Sequence, residues 1–433
     1  MRFNWAVLGL LLVTQSSWAA VKIEHWQTAQ SSRVYFVQTP ALPILDVRVS
    51  FDAGSARDGA QFGLAALTSA MLENGSGEWD ADQVAQRFES VGANFSTGLS
   101  KDMAWLSLRS LVQPGLLDDA LTTFKSVIAQ PRFAEDDFQR EKARTLAGLK
   151  HREESPAAIA AMAFQKALYH DHPYAHPEEG LVQTVSGFES ADLKRFYQTH
   201  YVASNAVIVI IGDVNRQKAE QIANQLVSGL AIGEKPTEIP AVQINTEASE
   251  QRIEFPSSQT HVLVGMPGTY RKDPDYFALY VGNHILGGGS LVSRLFDEVR
   301  EKRGLAYSAS SQFAPLYRNG SFTMGLQTRN DQADKALAVA NATLKEFVDK
   351  GPTEKELNAA KQNITGGFAM RVDTNSKLLD YVTMIGFYQQ PLDYLEIFQA
   401  KIQAVSVEDV KEVFKRRIHP EWMQTIMVGA RER

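Results

Sequence analysis

The chain has 433 residues, of which 44% are hydrophobic, and its 50 acidic residues outnumber its 44 Lys and Arg to give a formal net charge of −6. This acidic balance argues against nucleic acid as a partner. The absence of Cys excludes disulfides, and it excludes the lipid attachment that often follows an export signal. The length exceeds what a single hydrophobic core usually organises, so two or more domains are expected.

The first 19 residues have the pattern of a secretory signal peptide. Arg2 precedes an apolar run at residues 5–13, and residues 17–19 end the segment in a small-x-small pattern. The apolar run is about half of the ~20 residues that a membrane helix requires. We therefore predict cleavage after Ala19, export with the periplasm as the compartment, and no integral membrane segment in the mature chain.

A stretch with Gly, two Pro and mixed charge at residues 230–250, LAIGEKPTEIPAVQINTEASE, interrupts the helical periodicity of the chain. It divides the mature protein into two halves of comparable length. The sequence thus predicts one domain over residues 20–230, a linker over residues 231–250 and a second domain over residues 251–433.

The two halves contain the same order of predicted elements. Each opens with an alternating apolar strand, ILDVRVSFDAGS at 44–55 and HVLVGMPGTY at 261–270. Each closes with an amphipathic helix, a His-containing turn and a buried strand that ends in Gly, starting at Asp192 and Asp409. This internal repeat of roughly 200 residues predicts two homologous α+β domains. Each is expected to be a mostly antiparallel sheet with helices packed on one face, and the two to face each other like the halves of a clam.

The most specific string of the second half is ILGGGSLVSRLFDEVREKRGLAYSASS at residues 285–311. It closely resembles the second-domain signature of the insulinase or pitrilysin family of zinc peptidases, whose first domain carries the inverted HxxEH motif. The resemblance extends to the turn HPYAHPEEG at 172–180, to the strand NAVIVIIGDV at 205–214 and to the duplication itself.

The resemblance locates the family's zinc positions. In active members two His at positions i and i+4 bind zinc, and a Glu between them acts as general base. The motif falls on residues 66–70, where Ala66 and Ala70 replace the His residues and Ser69 replaces the Glu. The third ligand, a Glu of a later helix, falls on Ala147. The resemblance therefore implies no metal and no cofactor in this chain. The small residues also form a face suited to close helix packing, which is the favoured physical role, and the metal is lost in either case.

The resemblance also assigns a role to Arg300 and Tyr307. In active relatives an Arg and a Tyr at this spacing reach across to the zinc helix and hold the scissile peptide and its oxyanion. A phenol and a guanidinium can stabilise developing negative charge without a metal of their own. From the residues alone, Arg300 could instead form a helical ion pair and Tyr307 could lie in the core.

Other candidate sites are weaker. His170, His172 and His176 concentrate ligand-type side chains, but the two neighbouring prolines predict an extended surface turn, and incidental use is favoured over metal binding. The glycines at 287–289 lack the Gly-Lys-Ser/Thr that a phosphate cradle requires. There is no Cys and no Gly-x-Ser-x-Gly elbow to supply a nucleophile.

Two functions remain open. In the first, the chain is the non-catalytic subunit of an exported heterodimeric zinc metallopeptidase, and its partner is a homologous HxxEH chain that holds the zinc. This chain would be inactive alone and would supply half of the peptide-binding chamber together with Arg300 and Tyr307. In the second, it is a catalytically inert scaffold or peptide-binding protein of the same family. Retention of the Arg and Tyr favours the first.

Overall fold

The computed structural model describes residues 21–430, so the predicted signal peptide lies outside the described residues. The first half of the chain forms a six-stranded sheet in the order β1-β2-β6-β3-β5-β4. Its strands are β1 (Glu24–Gln27), β2 (Arg33–Gln38), β3 (Ile44–Phe51), β4 (Asn94–Leu99), β5 (Ala104–Leu111) and β6 (Ala206–Gly212).

The second half forms a five-stranded sheet in the order β7-β11-β8-β10-β9. Its strands are β7 (Ser249–Glu254), β8 (Gln259–Pro267), β9 (Ala306–Phe313), β10 (Ser321–Arg329) and β11 (Gln424–Gly429).

The two sheets share one topology. In the first, β2 pairs in parallel with β6, and β3, β5 and β4 follow in antiparallel order. In the second, β7 pairs in parallel with β11, and β8, β10 and β9 follow in antiparallel order. The first sheet adds only β1 at its outer edge. The predicted α+β fold with two homologous, mostly antiparallel domains is therefore confirmed.

Helices connect the strands in both halves. Those of the first half are α1 (Leu64–Met71), α2 (Ala81–Ser90), α3 (Leu116–Ala129), α4 (Glu135–Glu153), α5 (Pro156–Tyr169), α6 (Val182–Val185), α7 (Ser190–His200) and α8 (Arg216–Val227). Those of the second half are α9 (Tyr276–Asn283), α10 (Arg294–Phe296), α11 (Ala333–Lys350), α12 (Glu354–Gly366), α13 (Asn375–Phe387), α14 (Tyr394–Ala404) and α15 (Val407–Arg417). Single π-helical turns at His284–Gly288 and Asp297–Glu301 follow α9 and α10.

Local sequence explains where several helices begin. The Asp80 carboxylate accepts the backbone N–H of Gln83 at the start of α2, and the Ser406 hydroxyl accepts that of Asp409 at the start of α15. In both cases the side chain three residues into the helix bonds back to the cap, which satisfies a second free N–H.

Each half contributes one helix to the other half. Helix α5 packs on β8 and β11 of the second sheet, and α13 packs on β2, β3 and β6 of the first. The two helices hold equivalent places in the repeat, because α5 follows α4 as α13 follows α12. The halves' own helices cover one face of each sheet, as predicted, and the exchanged helices cover the other face.

The exchange explains why β6 is apolar at every position. Ile208 and Ile210 pack into the core of the first half, whereas Val207 and Val209 pack on the opposite face against α13. A strand that is buried on both faces has no polar alternation, so its sequence reads as a continuous hydrophobic run.

A buried carboxylate joins the two halves. Asp102, in the turn between β4 and β5, is 1% exposed and accepts hydrogen bonds from the hydroxyls of Tyr174 at 2.6 Å and Tyr388 at 2.8 Å. It also accepts the backbone N–H of Tyr317 at 2.7 Å. Burial raises the pKa of Asp102, while these three donors act to lower it. Because Tyr317 and Tyr388 belong to the second half, this side chain fixes the contact between the sheets.

The connection between the sheets has no helix or strand from residue 230 until β7 begins at Ser249. Its first part is held in place, because the Arg318 guanidinium donates to the Ile239 carbonyl and that of Arg57 donates to the Thr237 carbonyl, both at 2.6 Å. Ile239 itself is buried among residues of α5 and β11.

None of the helices between residues 21 and 430 has both the length and the apolar character that crossing a bilayer requires.

Candidate functional site

Helix α1 carries three of the four positions that the resemblance aligns with the family's zinc site. Ser69 is buried and its hydroxyl donates a long hydrogen bond of 3.5 Å to the Gly98 carbonyl of β4. Ala66 and Ala70 are half-buried on the same helix. None of these side chains offers the nitrogen or carboxylate oxygen that zinc requires.

The fourth position, Ala147, lies on α4 and is exposed. Helix α4 packs directly against α1, so the fold brings together the two helices that the family uses for zinc. The four aligned positions carry three methyl groups and one hydroxyl.

Asp58 holds the beginning of α1, a role that the sequence analysis did not identify. Its carboxylate accepts the backbone N–H of Gly63 and that of Ala65, each at 2.7 Å. Gly63 has φ +95°, and a Cβ there would lie 2.6 Å from the Glu179 carbonyl, so only Gly fits this approach. Burial raises the pKa of Asp58 to about 7, against the lowering effect of the two backbone donors and of Lys101. An acidic residue five positions before a glycine-led helix was the available sequence signal.

The His-rich segment is more buried than predicted. Tyr174 is fully buried and His176 is 5% exposed, so the expected extended surface turn is wrong for these two residues. The reason is that the segment fills the space beside α1, where the His176 ring stacks on Phe62 at 4.3 Å.

The hydrogen bonds of these histidines leave little freedom for metal binding. The His172 Nε2 contacts the Pro240 carbonyl at 3.0 Å, and its Nδ1 accepts the backbone N–H of Tyr174 at 3.1 Å. The His176 Nδ1 donates to the Pro177 carbonyl at 2.9 Å. Burial lowers the pKa of both His172 and His176, which favours neutral rings. Across residues 21–430 no three His, Cys, Asp or Glu side chains converge as a metal-binding group.

Arg300 and Tyr307 are brought together at the surface. The Arg300 guanidinium lies 4.6 Å from the centre of the Tyr307 ring and 4.8 Å from that of Phe296. Tyr307, at the start of β9, is 80% exposed, so it is not a core residue. The ion pair of Arg300 with Glu301 is long, at 3.7 Å. A cation over a phenol ring orients both groups while leaving the hydroxyl accessible to a ligand.

A cavity beside α9 was not predicted. A cavity of about 570 Å³ lies between α9, the glycines 287–288 and the end of β9. Neither Arg300 nor Tyr307 lines it. No sequence pattern indicated this cavity, because its walls come from two separate segments, residues 269–290 and 310–315, which meet only in the fold.

Comparison with known proteins agrees with this geometry. Residues 33–180 match the family described as "Insulinase (Peptidase family M16)", and residues 187–364 match the domain described as "Peptidase M16 inactive domain". A crystal structure of a peptidase M16 inactive domain from Pseudomonas fluorescens is similar with a TM-score of 0.92 and 38% identity, over 95% of this chain and 99% of that one.

Two sequence relatives carry different names. The "Non-peptidase homolog YmxG" of Helicobacter pylori is 26% identical over 94% of this chain and 94% of its own length. The "Uncharacterized zinc protease YmxG" of Bacillus subtilis is 25% identical over 82% of this chain and 86% of its own length. With Ala and Ser at the positions of all four zinc-site groups, this chain corresponds to the non-peptidase type. The chain therefore belongs to the insulinase family, peptidase family M16, as one of its inactive homologues.

Proposed function

We propose that this chain is the non-catalytic subunit of an exported, periplasmic heterodimeric zinc metallopeptidase. Its partner is a homologous subunit with an intact HxxEH motif, which holds the zinc. This chain supplies half of the chamber that encloses the peptide substrate, and it supplies Arg300 and Tyr307 to the partner's zinc site.

The observation that carries this proposal is the contrast between the two halves. The positions of α1 and α4 that the resemblance aligns with the zinc site carry no ligand side chain. In contrast, Arg300 and Tyr307 are in contact, with Tyr307 80% exposed and Arg300 half-buried. The Tyr307 hydroxyl is therefore available to a ligand or a partner, and the guanidinium beside the ring restricts its orientation.

The chemistry of the pair suits peptide hydrolysis in trans. As water attacks the scissile carbonyl, its oxygen gains negative charge, and a phenol hydroxyl can donate a hydrogen bond to it. The neighbouring guanidinium adds a fixed positive charge and restricts the ring. The zinc and the general base must then come from the partner.

The test is reconstitution with the exported HxxEH homologue of the same organism. We expect the complex, but neither chain alone, to hydrolyse peptides. Tyr307→Phe should leave assembly intact and lower kcat by on the order of 10² to 10³, the usual cost of losing one oxyanion donor. Arg300→Ala should lower kcat and raise KM, and the combined loss should be less than additive because both residues orient the same group.

Tyr317→Phe is a matched control. Tyr317 is also a partly exposed tyrosine with an arginine over its ring, since the Arg318 guanidinium lies 5.4 Å from its centre. This variant should keep the kcat of the complex. A fully active but less stable Tyr307→Phe complex would instead identify the chain as a scaffold or peptide-binding protein.

A further inference from the structure

The 570 Å³ cavity of the second half occupies a meaningful place in the duplication. Helix α9 follows β8 as α1 follows β3, and β9 is the edge strand of its sheet as β4 is of the first. The cavity between α9 and β9 thus lies at the place in the repeat that corresponds to the contact between β4 and α1, the helix with three of the aligned zinc positions. The aligned zinc positions of the first half carry no metal-ligand side chains, whereas the cavity of the second half is lined by polar side chains.

Arg271 is the main charged group of this cavity. Its backbone is fixed on both sides, because its N–H donates to the Leu316 carbonyl at 2.9 Å and its carbonyl accepts from the Gln390 amide at 2.6 Å. The guanidinium lies 5.1 Å from the centre of the Tyr388 ring. Within residues 21–430 no carboxylate lies within 4.0 Å of it, and its buried Nε has no hydrogen-bond partner there. A partly buried cation without a counter-charge is costly unless a ligand supplies one.

A second arginine increases the positive potential. A smaller cavity of about 230 Å³ shares Arg271, Tyr276 and Tyr280 with the first and is also lined by Arg371. The Arg371 guanidinium donates to the Tyr280 hydroxyl at 2.7 Å and has no carboxylate within 4.0 Å among the described residues. The one acidic residue lining this smaller cavity, Asp380, is paired with Arg48 at 2.7 Å.

The remaining walls suit a peptide. Residues 310–313 of β9 line the cavity, and β9 is the last strand of its sheet. Asn283 bonds to both the carbonyl and the hydroxyl of Ser311, which fixes the distance between α9 and β9. Leu279 and Phe313 of the lining offer apolar contacts.

We propose that this cleft binds the free carboxyl terminus of a peptide, with the carboxylate on Arg271 and the preceding residues between α9 and the end of β9. The guanidinium would form a charge-assisted hydrogen bond pair with the carboxylate, the geometry for which arginine is suited. The tyrosines of α9 would pack against the last side chains of the peptide. The site lies in this chain alone, so it does not rest on the heterodimer proposed above.

The experiment measures binding of fluorescein-labelled hexapeptides to the isolated mature chain by fluorescence anisotropy. The peptides contain Ala, Gly and Phe, and they differ in one group: a free carboxyl terminus, an amidated terminus, or an amidated terminus with one internal Asp. We expect the free acid to bind and amidation to weaken binding by on the order of 10- to 100-fold, the loss of one hydrogen-bonded charge pair.

Arg271→Gln should weaken binding of the free acid by a similar factor, and Arg271→Lys should restore part of it. Lys335→Gln removes the same charge from an exposed site of α11 and should leave binding unchanged. Equal affinity for acid and amide, or no binding of the free acid, would overturn the proposal whether or not the Arg271 variants fold. Preference for the internal Asp peptide would overturn the assignment to a carboxyl terminus.

Discussion

Phe164→Ala tests whether the exchanged helices make the two halves a single folding unit. Phe164 belongs by sequence to the first half, but it is 5% exposed in the cluster formed by α5 and β11. Its ring lies against Gly265 of β8, where an added Cβ would come within 2.9 Å of it. Because Gly265 has no side chain, it cannot fill the space that the ring leaves.

The expected cost is the full cost of a large-to-small substitution in a core. For a buried Phe that is about 3 to 5 kcal/mol of unfolding free energy. Helix α5 packs on the second sheet, and α13 of the second half packs on the first sheet. The free energy of unfolding should therefore fall by the same amount in both halves.

The assay is hydrogen exchange by mass spectrometry at increasing urea, with peptides from β6 and β10 as reporters of the two halves. In the unmodified protein both reporters should lose protection at one midpoint, and in Phe164→Ala both midpoints should fall together. Phe124→Ala is the matched control, because Phe124 is fully buried in the first-half core alone. If Phe164→Ala lowers only the β10 midpoint and Phe124→Ala only the β6 midpoint, the two halves unfold separately and are not a single folding unit.

Three further outcomes are expected. The purified mature chain should contain no stoichiometric zinc by elemental analysis; tight zinc binding that is lost when His172 and His176 are replaced would contradict this. Burial raises the folded pKa of Asp58 to about 7, so the stability that its proton contributes is lost as pH rises from about 4 to 7. Asp58→Asn should therefore gain about 2 to 3 kcal/mol relative to the unmodified protein between pH 5 and pH 8 in urea titrations, whereas a constant difference would show that Asp58 in the folded protein does not titrate in this range. Brief proteolysis should cut first within residues 241–246, beyond the anchored part of the connection, and the fragments should stay associated; a first cut elsewhere would refute the assignment.

The sequence alone was sufficient for much of the architecture. Alternating strands such as residues 44–51, and the uniformly apolar β6, define local structure because side-chain direction follows directly from the backbone period. The repeated order of elements predicted the shared sheet topology. The alignment that puts Ala66, Ser69, Ala70 and Ala147 at the family's zinc positions is likewise a prediction from residue identity.

Tertiary structure decided which surfaces meet. An apolar helix face indicates that the face will be buried, but not which sheet will cover it. The exchange of α5 and α13 between the halves could therefore not be predicted from periodicity. The same limit applies to Asp102, whose partners Tyr174, Tyr317 and Tyr388 lie between 72 and 286 residues away. Arg271 also looked ordinary in the sequence, because a charge is significant only once the fold has placed it in a cleft without a counter-charge. Contacts between distant segments depend on how whole elements pack, and local sequence does not contain that information.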